Sequence, residues 1–425
     1  MQNNNNMNLL GFKDAIFDSF EDDNDFVYIH ASVKKMDTCP HCGSKRIWVH
    51  DHRIQKIKDT HIRGKKCLIH LKKTRYDCKS CGCRFERELD FIAKGHTMTN
   101  RLVFSIVYEF DDVYSISSIA KRYNVSSNTV LRILNCLSVS RARLSEVLCI
   151  DEFKGDSGNI KYQTSLLNGS KHSIIDILPT RDKNFLFSYF KSVPTKEIHS
   201  VKFFVSDMSN TFKSVKNRFF KTSIHIVDRY HFIRQVSWAL ENVRKRIQKD
   251  ISSKLRKYFK RSRSLLTKPA SKLTTEQAKE VSLMLDLNND LKLAYRLKEL
   301  FYQYVLTQPN RVRAAKSLRE WIRRAEESDL KEFKACITAF NNWFDEICNS
   351  FDYPWSNGPL EGTHTKIKTL KRNCFGMKNF NLFRKRIMFA CSSVRKTGNF
   401  RKALGVLFAI FIFSSISFIL LLLFY

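Results

Sequence analysis

Val147-Leu-Cys-Ile-Asp151-Glu152-Phe153 is a short apolar run that ends on two carboxylates. Around it the chain changes character. Residues 160–167 and 173–178 alternate apolar and polar side chains, as half-buried strands do. Residues 182–193 read as a helix. Val201-Lys-Phe-Phe-Val205 reads as a further strand, ending at Ser206-Asp207-Met208. A second helix over 210–219 leads to Ile224-His-Ile-Val227, which stops at Asp228. Three strands followed by alternating helix and strand predict an α/β domain with a mixed sheet. Asp151 and Asp207 fall at the expected carboxyl ends of two strands, the edge where active-site groups of open α/β sheets gather. Each is also the residue type that caps a helix or closes a turn.

A third carboxylate lies far downstream in Ser356-Asn-Gly-Pro-Leu-Glu361-Gly-Thr-His364-Thr-Lys366-Ile-Lys368-Thr-Leu-Lys371-Arg372. A helix should begin near Pro359, because proline is well suited to a first helical position. Glu361 then sits in the first turn. Lys368 and Arg372 follow seven and eleven residues on, along one face. A carboxylate followed by cations suits a metal held at a phosphodiester while neighbouring phosphates are gripped. The plainer reading is a solvated helix with an ordinary surface glutamate.

The charge balance favours the first reading. Lys and Arg number 74 against 41 Asp and Glu, a formal net charge of +33 over 425 residues. Such a field selects a polyanion, nucleic acid before an anionic membrane. The N-terminus is polar and carries no secretory pattern, so the twelve cysteines are expected as thiols or metal ligands in a reducing compartment.

Two of those cysteine pairs are Cys39-Pro-His-Cys42-Gly and Cys78-Lys-Ser-Cys81-Gly. Two such knuckles supply the four soft ligands of one tetrahedral, structural Zn²⁺. Cys83 and His41 are alternative ligands with poorer spacing. The long intervening loop has strand-like alternation and many cations, Lys56, Lys58, Arg63, Lys65 and Lys66 among them. The acidic run Glu21-Asp-Asp-Asn-Asp25 ahead of the knuckles reads as a solvated loop.

Residues 97–140 read as helical. Within them, Ser115 to Ile133 has a helix-turn-helix pattern. Ala120 allows close packing, Asn124 suits the turn, Val125 plugs the corner and Ser126 caps the second helix. That helix would offer Ser127, Asn128, Thr129 and Arg132 to a DNA major groove. Residues 229–350 read as helices with few breakers. Their tryptophans Trp238, Trp321 and Trp343 are expected in the core, with base stacking the lesser reading. The dense basic stretch from Arg244 to Arg263 is expected at phosphates. Residues 404–425 contain no charged side chain. As a helix they would span about 33 Å, enough to cross a bilayer as a tail anchor. An accidental terminus is the competing explanation.

Asp151, Asp207 and Glu361 thus form a candidate triad for two Mg²⁺ (or Mn²⁺) ions and in-line phosphodiester chemistry. At these residues the chain resembles the ISL-three family of bacterial insertion-sequence transposases, from about residue 39 to 388. The resemblance is carried by the two knuckles, the helix-turn-helix, Ile150-Asp151-Glu152-Phe153-Lys154, Ser206-Asp207-Met208, Ile226-Val-Asp228-Arg-Tyr-His231 and Ser356-Asn-Gly-Pro-Leu-Glu361-Gly with Lys366-Ile-Lys368 and Lys371-Arg372. It continues through Phe375-Gly376 and Phe380-Asn-Leu-Phe383-Arg-Lys-Arg386.

The resemblance implies a multidomain α+β chain. Its parts are an N-terminal lead (1–34), a zinc ribbon (35–92), a helix-turn-helix (97–140), an RNase H-like α/β catalytic domain in two parts (144–228 and 351–395) around an all-helical insertion (229–350), and the hydrophobic tail (404–425). It implies that Asp151, Asp207 and Glu361 are metal ligands. It also implies that Lys366, Lys368, Lys371 and Arg372 lie near DNA, with Asp228 and His231 supporting the site. The implied partners are the element's terminal inverted repeats and target DNA, bound as a homodimer by a cytoplasmic, nucleoid-associated protein. The alternative is a catalytically inactive, repressor-like DNA-binding copy, tethered to a membrane by its tail.

Overall fold

Residues 11–249 and 263–391 are described by the computed structural model, and they fall into two compact units. One comprises residues 11–140 with 369–391, the other residues 141–368.

In the first unit, β1 (Ala15–Asp22), β2 (Phe26–Val33), β3 (Ile47–Ile62) and β4 (Lys65–Cys78) form a sheet in the order β1-β2-β4-β3. β5 (Arg84–Glu86) pairs with β4. The acidic run expected as a solvated loop is therefore the end of a strand and a hairpin turn. Glu21 and Asp22 lie in β1, and the Asp23 carboxylate accepts the N–H groups of Asp25 and Phe26 at 2.8 and 2.6 Å. Val27, Ile29 and Ala31 of β2 point inward at period two, while Phe26, Tyr28, His30 and Ser32 on its other face are half-buried. The loop expected between the knuckles is strand over most of its length. β3 and β4 meet at the two-residue turn Arg63-Gly64, with both residues at positive φ, the geometry that two-residue hairpins prefer. Folding this hairpin back on itself brings the two knuckles to its open end, where Ile47 pairs with Cys78.

Three short helices follow, Asn100–Tyr108, Ile116–Arg122 and Ser127–Cys136. Thr99, Ser115 and Ser126 cap them, accepting from Leu102, Ser118 and Thr129 N–H at 3.3, 3.0 and 3.1 Å. Asn124 turns the chain at φ 53°, and Val125 N–H bonds to Ala120 C=O at 3.0 Å. Leu102, Ile119, Val130 and Leu134 form their core. Leu382 and Phe389 of the helix Phe380–Cys391 pack into the same core. Arg386 of that helix is fully buried and donates to the carbonyls of Phe110, Asp112 and Tyr114 at 2.9, 3.0 and 2.9 Å. Residues 369–391 thus group with the N-terminal unit.

In the second unit, β6 (Val147–Ser157), β7 (Ile160–Asn168), β8 (Ser173–Leu178), β9 (Phe203–Ser206) and β10 (Ile224–Val227) form a mixed sheet in the order β10-β9-β6-β7-β8. β6, β7 and β8 pair antiparallel; β9 and β10 are parallel to β6. Alternation along β6 sorts its side chains. Leu148 and Ile150 pack with Leu186, Phe190, Phe212 and Val215 of the crossover helices, while Val147 and Cys149 face Leu360 of the helix Gly358–Asn373. Asp151 lies within β6, which corrects its expected place at a strand end. β6 continues six residues past it because β7 still pairs there, although the parallel partner β9 leaves the ladder after Cys149.

Helices Arg229–Ile247, Thr275–Asp286, Asn289–Leu300, Arg311–Glu327 and Lys334–Asn342 pack around Phe232, Phe301, Trp321 and Phe340. Trp321 and Trp343 are core residues, as expected, and the Trp321 indole donates to Leu297 C=O at 2.8 Å. Trp238 departs from that expectation, with 43% of its surface exposed. The basic stretch reaches beyond the described residues after Lys249, and the hydrophobic segment 404–425 lies wholly outside them. Among the described residues no helix is long and apolar enough to cross a membrane.

Candidate active site and metal centre

Asp151 shares the sheet face of Val147 and Cys149, and Asp207 follows Val205 by two residues, so alternation brings both acids to the same side of the sheet. Burial and then the Asp207 carboxylate push the Asp151 carboxyl up to about 7. Burial and then Glu152 raise Asp207 to about 6, against the Ser209 N–H and the charges of Arg181 and Arg234. An acid whose ionisation is disfavoured by burial and by a neighbouring carboxylate is suited to taking a cation. Glu152 points to the other face of β6, where Arg181 pairs with it at 2.5 Å.

The helix bearing Glu361 is seated by three side chains. Asn357 is buried; its N–H bonds to the Asp228 carboxylate at 2.6 Å and its side-chain amide to Ile150 C=O at 3.3 Å. Asp228 also caps the helix Arg229–Ile247 through Tyr230 N–H at 2.8 Å, so one carboxylate ties β10 to the Ser356-Asn-Gly turn. His364 lies on the buried stripe Leu360, His364, Ile367. Its Nε2 meets Ser165 Oγ at 2.7 Å, and its Nδ1 stands 4.0 Å from Asp151. Burial and then Lys368 depress His364 to about 4, which keeps the ring neutral at pH 7.

Glu361 itself is exposed on the first turn, with Lys366, Lys368 and Arg372 on the solvent side farther along. It lies in the electrostatic neighbourhood of His231, whose proton affinity is lowered by burial first. The three carboxylates do not converge on one point. Among the described residues only Cys39, Cys42, Cys78 and Cys81 bring their ligand atoms within 4.8 Å of one another. Asp151 and Asp207 offer hard oxygen donors of the kind Mg²⁺ or Mn²⁺ takes; Glu361 stands apart from them. Sequence reading passed over Asn357, Ser165 and His364 as site residues. The spacing of His364, four residues after Leu360 and three before Ile367, was the available signal.

In the first unit the Sγ atoms of Cys39 and Cys81 are 3.7 Å apart, and those of Cys42 and Cys78 3.5 Å. Four sulfurs placed tetrahedrally at about 2.3 Å from zinc stand about 3.8 Å apart, so the set fits one structural Zn²⁺. Gly43 and Gly82 follow each knuckle at φ 70° and return N–H bonds to Cys39 and Cys78 C=O at 2.8 and 2.9 Å, a conformation that favours glycine. The N–H groups of Cys81 and then Ser80 draw the Cys78 thiol down to about 6, toward the thiolate that zinc binds. Ser127, Asn128 and Arg132 of the capped third helix are exposed, and Thr129 is half-buried.

Residues 148–387 match the ISL3 DDE family model, described as "Transposase". The chain belongs to the ISL-three transposase family. Residues 35–81 match a model described as the zinc-finger of transposase IS204/IS1001/IS1096/IS1165, which places the four cysteines in this family's zinc finger. The chain is similar to the "Transposase for insertion sequence element IS1001" of Bordetella parapertussis, 22% identical over 373 residues, covering 84% of this chain and 89% of that one. A local similarity, 38% over 56 residues, links it to an "ATP-dependent protease" of Lactococcus lactis subsp. lactis; it covers 13% of this chain and 18% of that protein.

Proposed function

We propose that this transposase binds the terminal inverted repeats of an insertion sequence and cleaves and joins DNA there through Asp151, Asp207 and Glu361. The observation that carries the reading is the pair of buried acids on one sheet face, with the Glu361 helix docked beside them through Asn357 and His364. The strand order β10-β9-β6-β7-β8, with β6 central and antiparallel pairing on one side only, supports an RNase H-like catalytic domain. Asp151 and Asp207 would hold divalent cations, joined by Glu361; bound Mg²⁺ or Mn²⁺ would lower the cost of charge on the attacking and leaving oxygens.

The chain's own residues prepare that chemistry. Asp151 holds its proton up to about pH 7 and Asp207 up to about pH 6, above which a cation can take the place of the lost charge. Neutral His364 fills the space beside Asp151 without competing as a charge. Asp228 fixes the turn that aims the first helical turn, and His231 feels the charges of both Asp228 and Glu361. Lys366, Lys368, Lys371 and Arg372 would grip backbone phosphates. Ser127, Asn128, Thr129 and Arg132 would read base edges in a helix-turn-helix, and a homodimer would pair two ends.

The test is nicking of a labelled fragment carrying the inverted repeat, with Mg²⁺ or Mn²⁺. Asp151→Ala, Asp207→Ala and Glu361→Ala should each abolish nicking and retain end binding. Loss of binding in all three would make the carboxylates structural. The exposed position of Glu361 favours a second reading, binding without cleavage. Tight binding by a wild-type chain that never nicks would establish it.

A further inference from the structure

Helix Arg229–Ile247 leaves the end of β10 beside the acid pair, and its outward side carries an arrangement that the proposed catalysis does not use. Tyr230, Arg234 and Trp238 recur at every fourth residue, so they stack along one face. The Arg234 guanidinium lies 4.0 Å from the centre of the Trp238 ring and 5.8 Å from that of Tyr230. Both rings are open to solvent, 57% exposed for Tyr230 and 43% for Trp238. Tyr230 N–H bonds to Asp228, the carboxylate that also holds the Asn357 turn ahead of Glu361, so the ladder begins beside the candidate site.

An exposed tryptophan flattened against an arginine is a surface for a planar, electron-rich ring next to an anionic backbone. On a chain with a net charge of +33 that is a nucleobase. Asp151 is recessed, with 17% of its side chain exposed. A phosphodiester reaches such a group more readily when the adjacent base has left the duplex stack, and the lost stacking then needs a substitute. We propose that Tyr230, Arg234 and Trp238 form a stacking platform for an unpaired base next to the phosphodiester to be cut. The proposal rests on the DNA-cleaving role argued above.

The experiment compares binding of three probes by the full chain. Each is a duplex carrying the inverted repeat: fully paired, with two unpaired nucleotides at the element end, or with those two nucleotides abasic. Wild type should prefer the unpaired end over the paired one, and abasic residues should remove that preference. Trp238→Ala should lose roughly ten-fold on the unpaired end and little on the paired duplex, while Trp238→Phe keeps most of the preference. Tyr230→Ala serves as a second variant of the platform, and thermal melting confirms that both fold. Equal binding of all three probes by wild type, or an unchanged preference in both alanine variants, would overturn the platform. Binding is read without catalysis, so absence of nicking by wild type would sink the cleavage reading and leave this measurement standing.

Discussion

Replacing Asp151 by asparagine should stabilise the metal-stripped protein above neutral pH. The folded carboxyl is held at about 7, against an ordinary value of 3.8, chiefly by burial. Between those values the folded chain retains a proton that the unfolded chain has released. Its contribution to stability is therefore greatest at low pH and is lost as pH rises toward 7. At about 1.4 kcal/mol per pH unit the full loss approaches about 4 kcal/mol. Asparagine carries no charge, and its side-chain oxygen can still accept the Glu152 N–H that Asp151 accepts at 2.8 Å. For a unit of 228 residues, 141–368, the gain corresponds to roughly 10 °C in melting temperature. The assay is thermal unfolding in EDTA at pH 5 and pH 8. Wild type should lose several degrees more than Asp151→Asn between the two, and the variant should melt higher at pH 8. Groups common to both proteins and remote from Asp151, such as the buried His225, cancel in the difference. Millimolar Mn²⁺ should raise the wild type at pH 8 and leave the variant nearly unmoved. Parallel pH curves, or a variant that is less stable at pH 8, would refute the claim that Asp151 is buried against its charge.

Three further outcomes are expected. Cys78→Ser should reduce bound zinc from one ion per chain to none by metal analysis, and should unfold the ribbon, whose zinc supplies on the order of 10 kcal/mol. Asn357→Ala should slow nicking while end binding holds, because it removes the amide bond to Ile150 C=O, worth about 1–3 kcal/mol, that seats the Glu361 helix. Ser126→Ala should cost about 1 kcal/mol of stability by leaving Thr129 N–H uncapped, seen as a lower melting temperature and weaker end binding.

What could be read from the sequence was local. The knuckles announce themselves through spacing, and strands such as Ile224–Val227 through apolar runs bounded by Asp228. Helix starts were legible at Ser126 and Asp182 because caps are short-range chemistry. The length of β6 was not. Past Ile150 its residues turn polar, since the strand has lost its parallel neighbour there, and a polar strand looks like a loop. β3 hid for a related reason: as an edge strand it is exposed and polar at His50, His52, Arg53 and Lys56. The bonds that seat the Glu361 helix join residues about 130 to 207 positions apart, as in Asn357 with Asp228 and Ile150, so no window of sequence contains them. Trp238 misled because composition cannot separate a core indole from one laid against an arginine.

The buried guanidinium of Arg386 bears on what a shortened version of this polypeptide would be worth. Three carbonyls between Phe110 and Tyr114 are satisfied by a side chain that arrives more than 270 residues later. A gene interrupted anywhere before codon 380 would deliver the capped helices without the segment that closes their core. It would leave those carbonyls without the Arg386 donor, and Phe110 without the Phe389 ring 5.9 Å away. Ribosomes must reach the codons of Phe380–Cys391 before the helices of residues 100–136 can finish folding.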